Sequence, residues 1–208
     1  MTFSSIYEMT NPLTTVRKQH FWDWFSGDSV NARWRQRDVG GAGTFSMVDA
    51  VDEGFSVLTN TTSADHSMID FNDKRQYEPT GSVMISIFRI VTLTSRVVQV
   101  GLGNDSTDPT VNAGDSAFIN IGSGSFYALR SNDGVTRTSI DTSISNDTSF
   151  HNHKIECGSA DIKETLDGVL EVTKTTNRPT IKLQPFLMAY NSTSQAEGRI
   201  RYCEAYNT

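Results

Sequence analysis

Two cysteines in 208 residues, Cys157 and Cys203, form no Cys-x-x-Cys pair and no Cys/His cluster with metal-binding spacing. Both fall in stretches that read as strands. A bridge between them and two buried thiols acting as small apolar residues are both open from sequence. Apolar runs are short as well. None approaches the ~18 to 20 residues that cross a bilayer. The start of the chain, MTFSSIYEMTNPLTT, lacks the basic and apolar regions of a secretory signal. Neither membrane insertion nor signal-directed secretion is expected. Positive charge is also scarce: a formal net charge of −6 argues against the clustered basic footprint of a nucleic-acid binder. Internal repeats, low-complexity linkers, long amphipathic helices and a nucleophile elbow are all absent.

What is present is a succession of short β-favouring runs separated by glycine, asparagine, aspartate and serine. After a polar arm over residues 1–15, the runs divide residues 16–208 into about a dozen strands of one domain, the pattern of a sandwich or barrel. Ser82 to Leu93, SVMISIFRIVTL, is the longest and most β-branched and is expected at the centre of a sheet. Ala117–Ile121, Phe126–Ser131 and Arg137–Ile140 read as a meander. In SFHNHKIEC, alternation puts His151, His153, Ile155 and Cys157 on one side of an extended chain. Ile162–Leu166 and Val169–Thr175 flank Asp167-Gly168, a two-residue loop suited to a type I′ turn because aspartate tolerates positive φ and glycine adopts it freely.

That stretch, FHNHKIEC followed by DIKETLDGVLEVTKTTNRP, resembles the F-H-x-Y-x-I-E-W … Y-x-D-G-x-L-x-x-T hairpin of concanavalin A-like lectin and glucanase domains. FWDWFSGDSVNARW and AFINIGSGSFYALRSNDG extend the similarity. His153 stands where an aromatic is usual and Cys157 where tryptophan is. The resemblance implies an all-β, two-sheet antiparallel jelly-roll sandwich, and a superfamily of lectins, laminin-G-type modules, glucanases and polysaccharide lyases. Its glucanases carry a Glu-x-Asp-x-x-Glu strand that places carboxylates on one face. MIDFND offers Asp70 and Asp73 without the glutamates, and the arginine-rich and Gln-x-His strands of alginate-lyase-like members are not found.

Candidate sites follow from residue chemistry. Glu164 and Glu171 would lie opposite each other across the hairpin, close enough to shift a pKa, unless solvated and neutralised by lysines. His151 and His153 share a face, with Cys157 the third group available to a metal, though a structural role is favoured. Asp105, Asp108 and Asp115, with Asn104 and Asn112, offer hard oxygens to Ca²⁺, and the resemblance implies calcium near a sugar site. Trp22 with Trp24, and Tyr127, Arg130, Asn132 and Asp133, are two groups able to bracket a sugar, whereas Trp34 is expected in the core. The expectation is therefore a glycan-binding recognition module without catalysis, on an extracellular or virion surface, with glycan, homo-oligomeric or virion partners. A structural capsid, decoration or fibre protein is the second reading, and an unfamiliar glycan-active hydrolase or lyase the third.

Overall fold

The computed structural model describes residues 19–48, 53–61, 65–93, 96–104, 114–122, 124–191 and 194–208. The expected arm over residues 1–15 lies outside them. Among the described residues fifteen strands are formed: β1 (His20–Trp24), β2 (Arg35–Val39), β3 (Thr44–Met47), β4 (Phe55–Leu58), β5 (His66–Asp70), β6 (Ser82–Ile90), β7 (Arg96–Gly103) and β8 (Ser116–Ile121), then β9 (Phe126–Asn132), β10 (Arg137–Ser145), β11 (His151–Cys157), β12 (Ile162–Leu166), β13 (Val169–Lys174), β14 (Gln184–Asn191) and β15 (Glu197–Asn207).

They make two antiparallel sheets. One runs β13-β12-β11-β6-β15-β4-β3, with β1 also paired to β15 as its eighth strand, and the other runs β10-β9-β8-β7-β14-β5-β2. The expected central strand, β6, lies between β11 and β15, and the meander β8-β9-β10 is formed as read. The chain crosses between sheets repeatedly, so neighbours in sequence often part company. This is the two-sheet jelly-roll sandwich that the resemblance implies.

Register decides what is inside. In the seven-stranded sheet Ile69, Leu187, Val100, Ile119 and Leu129 align across five strands in one buried row. In the eight-stranded sheet Phe21, Ala205, Met84 and Ile155 do the same. These rows face each other and form the core, because burying apolar area between two sheets is the main favourable term. Trp34 is buried among Phe21, Phe25 and Phe71, as expected, and its indole N–H donates to Asp23 Oδ2 at 2.9 Å.

The Asp167-Gly168 hairpin forms, with φ of 47° and 86°. Its register differs from expectation. Leu166 pairs with Val169 and Thr165 with Leu170, but a bulge then sets Glu164 opposite Val172. Glu171 is displaced by that extra residue, so the expected Glu164–Glu171 pair does not exist. The cysteines do not bridge either. Both are buried and free. Cys157 pairs with Ser82 and Cys203 with Ser86, on opposite sides of β6 and four residues apart along it. That separation far exceeds the ~4.4 to 6.8 Å between α-carbons that a disulfide needs.

Candidate functional site

Strand alternation gives each sheet a second face, turned away from the core. On the seven-stranded sheet this outer face is neither plainly polar nor plainly apolar. One row carries Arg35, Asp70, Phe186, Gly101, Phe118 and Arg130. The next carries Arg37, Met68, Met188, Gln99 and Asn120. Beyond it His66 and Tyr190 stand directly opposite each other. On the other side Gln184, Ser116, Asn132 and Arg137 continue the face.

Met68, Phe118, Phe186 and Met188 form a second apolar cluster, with Tyr190 packed against it. The Phe118 and Phe186 rings meet edge-on with centroids 5.8 Å apart. Gly101 lies between these two phenylalanines because nothing larger fits. A β-carbon there would sit 2.3 Å from the Ala117 carbonyl oxygen and 2.5 Å from Phe118 Cα.

Around this cluster the polar groups are only partly used. The Gln99 amide donates to Asn120 Oδ1 at 2.9 Å, but Gln99 Oε1 has no partner. Both amide atoms of Gln184 and the Ser116 hydroxyl are likewise buried without one. Most buried polar atoms in folded proteins are paired, so such a concentration calls for a cause. Asp70 is fully buried and takes a bidentate clasp from Arg35, at 3.0 Å from Nε and 2.7 Å from Nη2. That clasp raises the Arg35 pKa. Asp73 also meets Arg35, at 3.3 Å. Arg130 is half-buried, and its pKa is lowered by burial and by nearby Arg137, with Asp141 acting in the opposite sense. Among the described residues the face carries Arg35, Arg37, Arg130 and Arg137 against the carboxylates Asp70, Asp73 and Asp141, a formal excess of one positive charge. It is a positive surface on a chain of net charge −6.

The residues singled out by sequence fall in several places. Arg130 and Asn132 lie on this face. Tyr127 does not: it is fully buried, its ring 5.3 Å from that of His153, and it offers no surface to a sugar. Alternation already separates residues 127 and 130, which are an odd number of positions apart on one strand. Asp133 caps the β9–β10 turn by accepting from the Thr136 and Val135 amides, which hold its carboxyl below the usual range. The four therefore do not form one site. Asp105, Asp108 and Asn112 lie outside the described residues. Asp115 is buried and accepts from the amide and hydroxyl of Thr180. Among the described residues no three His, Cys, Asp or Glu side chains converge as a metal site.

His151 is held at both ring nitrogens, by Asp167 at 2.6 Å and by Asp147 at 3.1 Å. Only the imidazolium can donate from both. Burial opposes that charge, but the hydrogen bonds to Asp167 and Asp147 prevail and raise the His151 pKa. His153 pairs instead with Glu164 at 3.2 Å inside the core. Trp22 and Trp24 lie on the outer face of the other sheet. The positive face escaped the sequence reading because its arginines come from β2, β9 and β10, which only the sheet order brings together.

Solved structures share this architecture. A prokaryotic β-1,3-1,4-glucanase (lichenase) derived from a mouse hindgut metagenome superposes with a TM-score of 0.66 at 11% identity, over 90% of this chain and 98% of that one. The fold is the concanavalin A-like jelly roll. The apo Crh5 transglycosylase carries the same jelly roll at TM-score 0.64 and 13% identity, over 91% of this chain and 84% of its own. The carbohydrate recognition domain of Emp47p matches at 0.60 and 13%, over 90% and 94% of the two chains. No family model and no curated protein matches the sequence.

These likenesses correct one expectation. A chain without catalysis was inferred from the missing Glu-x-Asp-x-x-Glu strand, yet the jelly rolls that superpose on it include a glucanase and a transglycosylase. The missing triplet removes one arrangement of carboxylates and does not argue against catalysis as such. A virion or purely structural role draws no support from these neighbours. Among the described residues no helix is long and apolar enough to cross a membrane.

Proposed function

We propose that this chain acts on glycans, and that the outer face of the seven-stranded sheet is where the glycan lies. The observation that carries the reading is the face itself: arginines and amides with unpartnered atoms, set over a buried aromatic pair. Sugars present many hydroxyls, and convergent guanidinium and amide groups match them, while the buried Phe118–Phe186 pair supports the face from beneath and offers no ring to a sugar. The glucanase, transglycosylase and carbohydrate recognition domain among its structural neighbours support the same class of ligand.

The charge of the face favours an acidic glycan. Hydrolysis by paired carboxylates fits poorly. Asp70 is fully buried in the Arg35 clasp with Asp73 beside it, and Asp141 stands on a strand five positions away in the sheet, about 24 Å at ~4.8 Å per strand. Glycosidases hold their carboxylates ~5 to 9.5 Å apart. The adjacent groups able to move a proton are His66 and Tyr190, with Arg37 on the neighbouring strand. On a uronate, Arg37 neutralises the sugar carboxylate and His66 takes the C5 proton. The C5–H electron pair forms the C4–C5 double bond as the C4–O bond breaks, and Tyr190 protonates the departing oxygen.

The test is a panel of neutral and uronate polysaccharides, followed by absorbance of unsaturated uronate and by new reducing ends. Turnover of a uronate polymer with unsaturated products is expected, with His66→Ala lowering it about 100-fold or more. Tight binding of neutral glycans alone, or no response to any polymer, overturns the reading.

A further inference from the structure

The outer face of the eight-stranded sheet carries aromatic rings that the core does not use. Trp22 and Trp24 are 57% and 55% exposed, whereas Trp34 keeps only 5%. They belong to three successive cross-strand pairs between β1 and β15: His20 with Tyr206, Trp22 with Glu204, and Trp24 with Tyr202. Each step along the strands is two residues, so the three rows span about 13 Å.

The stripe is organised. The Trp24 and Tyr202 rings lie 4.4 Å apart between centroids, and His20 meets Tyr206 edge-on at 5.8 Å. Glu204 sits in the middle row with both oxygens engaged: Oε1 is 2.8 Å from His20 Nε2, and Oε2 accepts from the Tyr202 hydroxyl at 2.7 Å. Ile85 and Ile87 continue the middle and third rows onto β6, and Lys154 and Asn152 bring polar groups beyond them on β11.

We propose that this stripe is a second glycan-binding platform, separate from the face on the other sheet. Its occupant is a polysaccharide chain lying flat, C–H faces on Trp22 and Trp24 and hydroxyls at Glu204 and His20. The choice of glycan over a protein partner rests on Glu204. The centres of protein interfaces are depleted of charge, whereas this stripe holds an ordered carboxylate in its middle row, directly opposite Trp22. Flat rings alternating with fixed hydrogen-bonding groups suit a pyranose chain. The choice of ligand class rests on the functional reading above, while the platform's position on the opposite sheet makes the two separable.

The experiment is retention of the full chain on insoluble cellulose and insoluble chitin, with tryptophan fluorescence on titration with their soluble oligosaccharides. The unaltered protein is expected to be retained on at least one polymer, and the matching oligosaccharide to shift the emission of the exposed indoles. The double variant Trp22→Ala/Trp24→Ala should lose at least tenfold in retention while keeping the far-UV circular dichroism and solution mass of the parent. Retention on neither polymer overturns the proposal. So does undiminished retention of the variant, or a parent dimer that the substitutions dissociate, which would make the stripe a self-association surface. The glycan-acting face is tested apart, through His66→Ala on soluble uronate polymers. Loss of one activity with survival of the other identifies which reading fails.

Discussion

Replacing Glu164 by leucine tests whether the core is read correctly. Glu164 occupies an inner row between Ile155 and Val172 and has no exposed surface. Its Oε1 lies 3.2 Å from His153 Nδ1, while its Oε2 and His153 Nε2 have no partner. Glu164→Leu removes one member and leaves the imidazole buried with both nitrogens unanswered. The expected loss is about 3 kcal/mol, where the ranges for an orphaned buried polar group and a broken buried ion pair meet. His153→Phe strands the carboxylate among aliphatic neighbours and should cost at least as much.

The double variant His153→Phe/Glu164→Leu behaves differently. It removes both desolvated groups, and the new ring replaces an imidazole already packed 4.7 Å from Phe88 and 5.3 Å from Tyr127. It should lie within about 1 kcal/mol of the parent, because apolar replacement of a whole buried pair is often neutral or stabilising. Urea unfolding with a common m-value measures all three, and for a chain this long each single variant should melt about 6 to 12 °C lower. A Glu164→Leu loss below about 0.5 kcal/mol, or a double variant equal to the sum of the singles, refutes the reasoning.

Further outcomes follow from the same geometry. The His151 clasp raises that group's pKa, so its contribution is complete below the ordinary value of about 6.5 and disappears as pH rises through the raised one. Burial raises the pKa of Asp147 and Asp167, but their hydrogen bonds outweigh it, so their contribution fades as pH falls through their lowered values. Unfolding free energy plotted against pH should show both shoulders, and His151→Asn should abolish the upper one. Gly101→Ala drives a β-carbon into the β8 backbone and should destabilise by about 2 kcal/mol or more by thermal melting. The Cys157 thiol is pushed up to about 11 by burial, so neither it nor Cys203 should react with a thiol reagent at neutral pH until urea unfolds the chain.

Much of the fold was legible because strands announce themselves locally. Alternation in HNHKIEC put His151, His153, Ile155 and Cys157 on one side, and the structure turns that side inward. Asp167-Gly168 set a hairpin because two consecutive positive-φ positions need those residue types. The run beginning at Ser82 read as central from its length and β-branching.

The sequence by itself therefore determined the approximate limits of most strands, their turns and an all-β sandwich or barrel, with the jelly-roll class implied by the resemblance of the hairpin. What tertiary structure alone decided was meaning within that class. A period of two sorts side chains onto two faces but does not say which face meets the other sheet. Tyr127 and Trp22 are both aromatic residues in alternating runs, yet one is buried against His153 and the other opens to solvent, because Tyr127 falls on the inner face of its sheet and Trp22 on the outer face of its own. A single bulge moved Glu164 away from Glu171 and opposite Val172. The arginines of β2, β9 and β10 became one positive surface only when the chain, crossing repeatedly between the sheets, brought those strands into one order. Such placements depend on register and pairing between distant segments, and no local pattern encodes them.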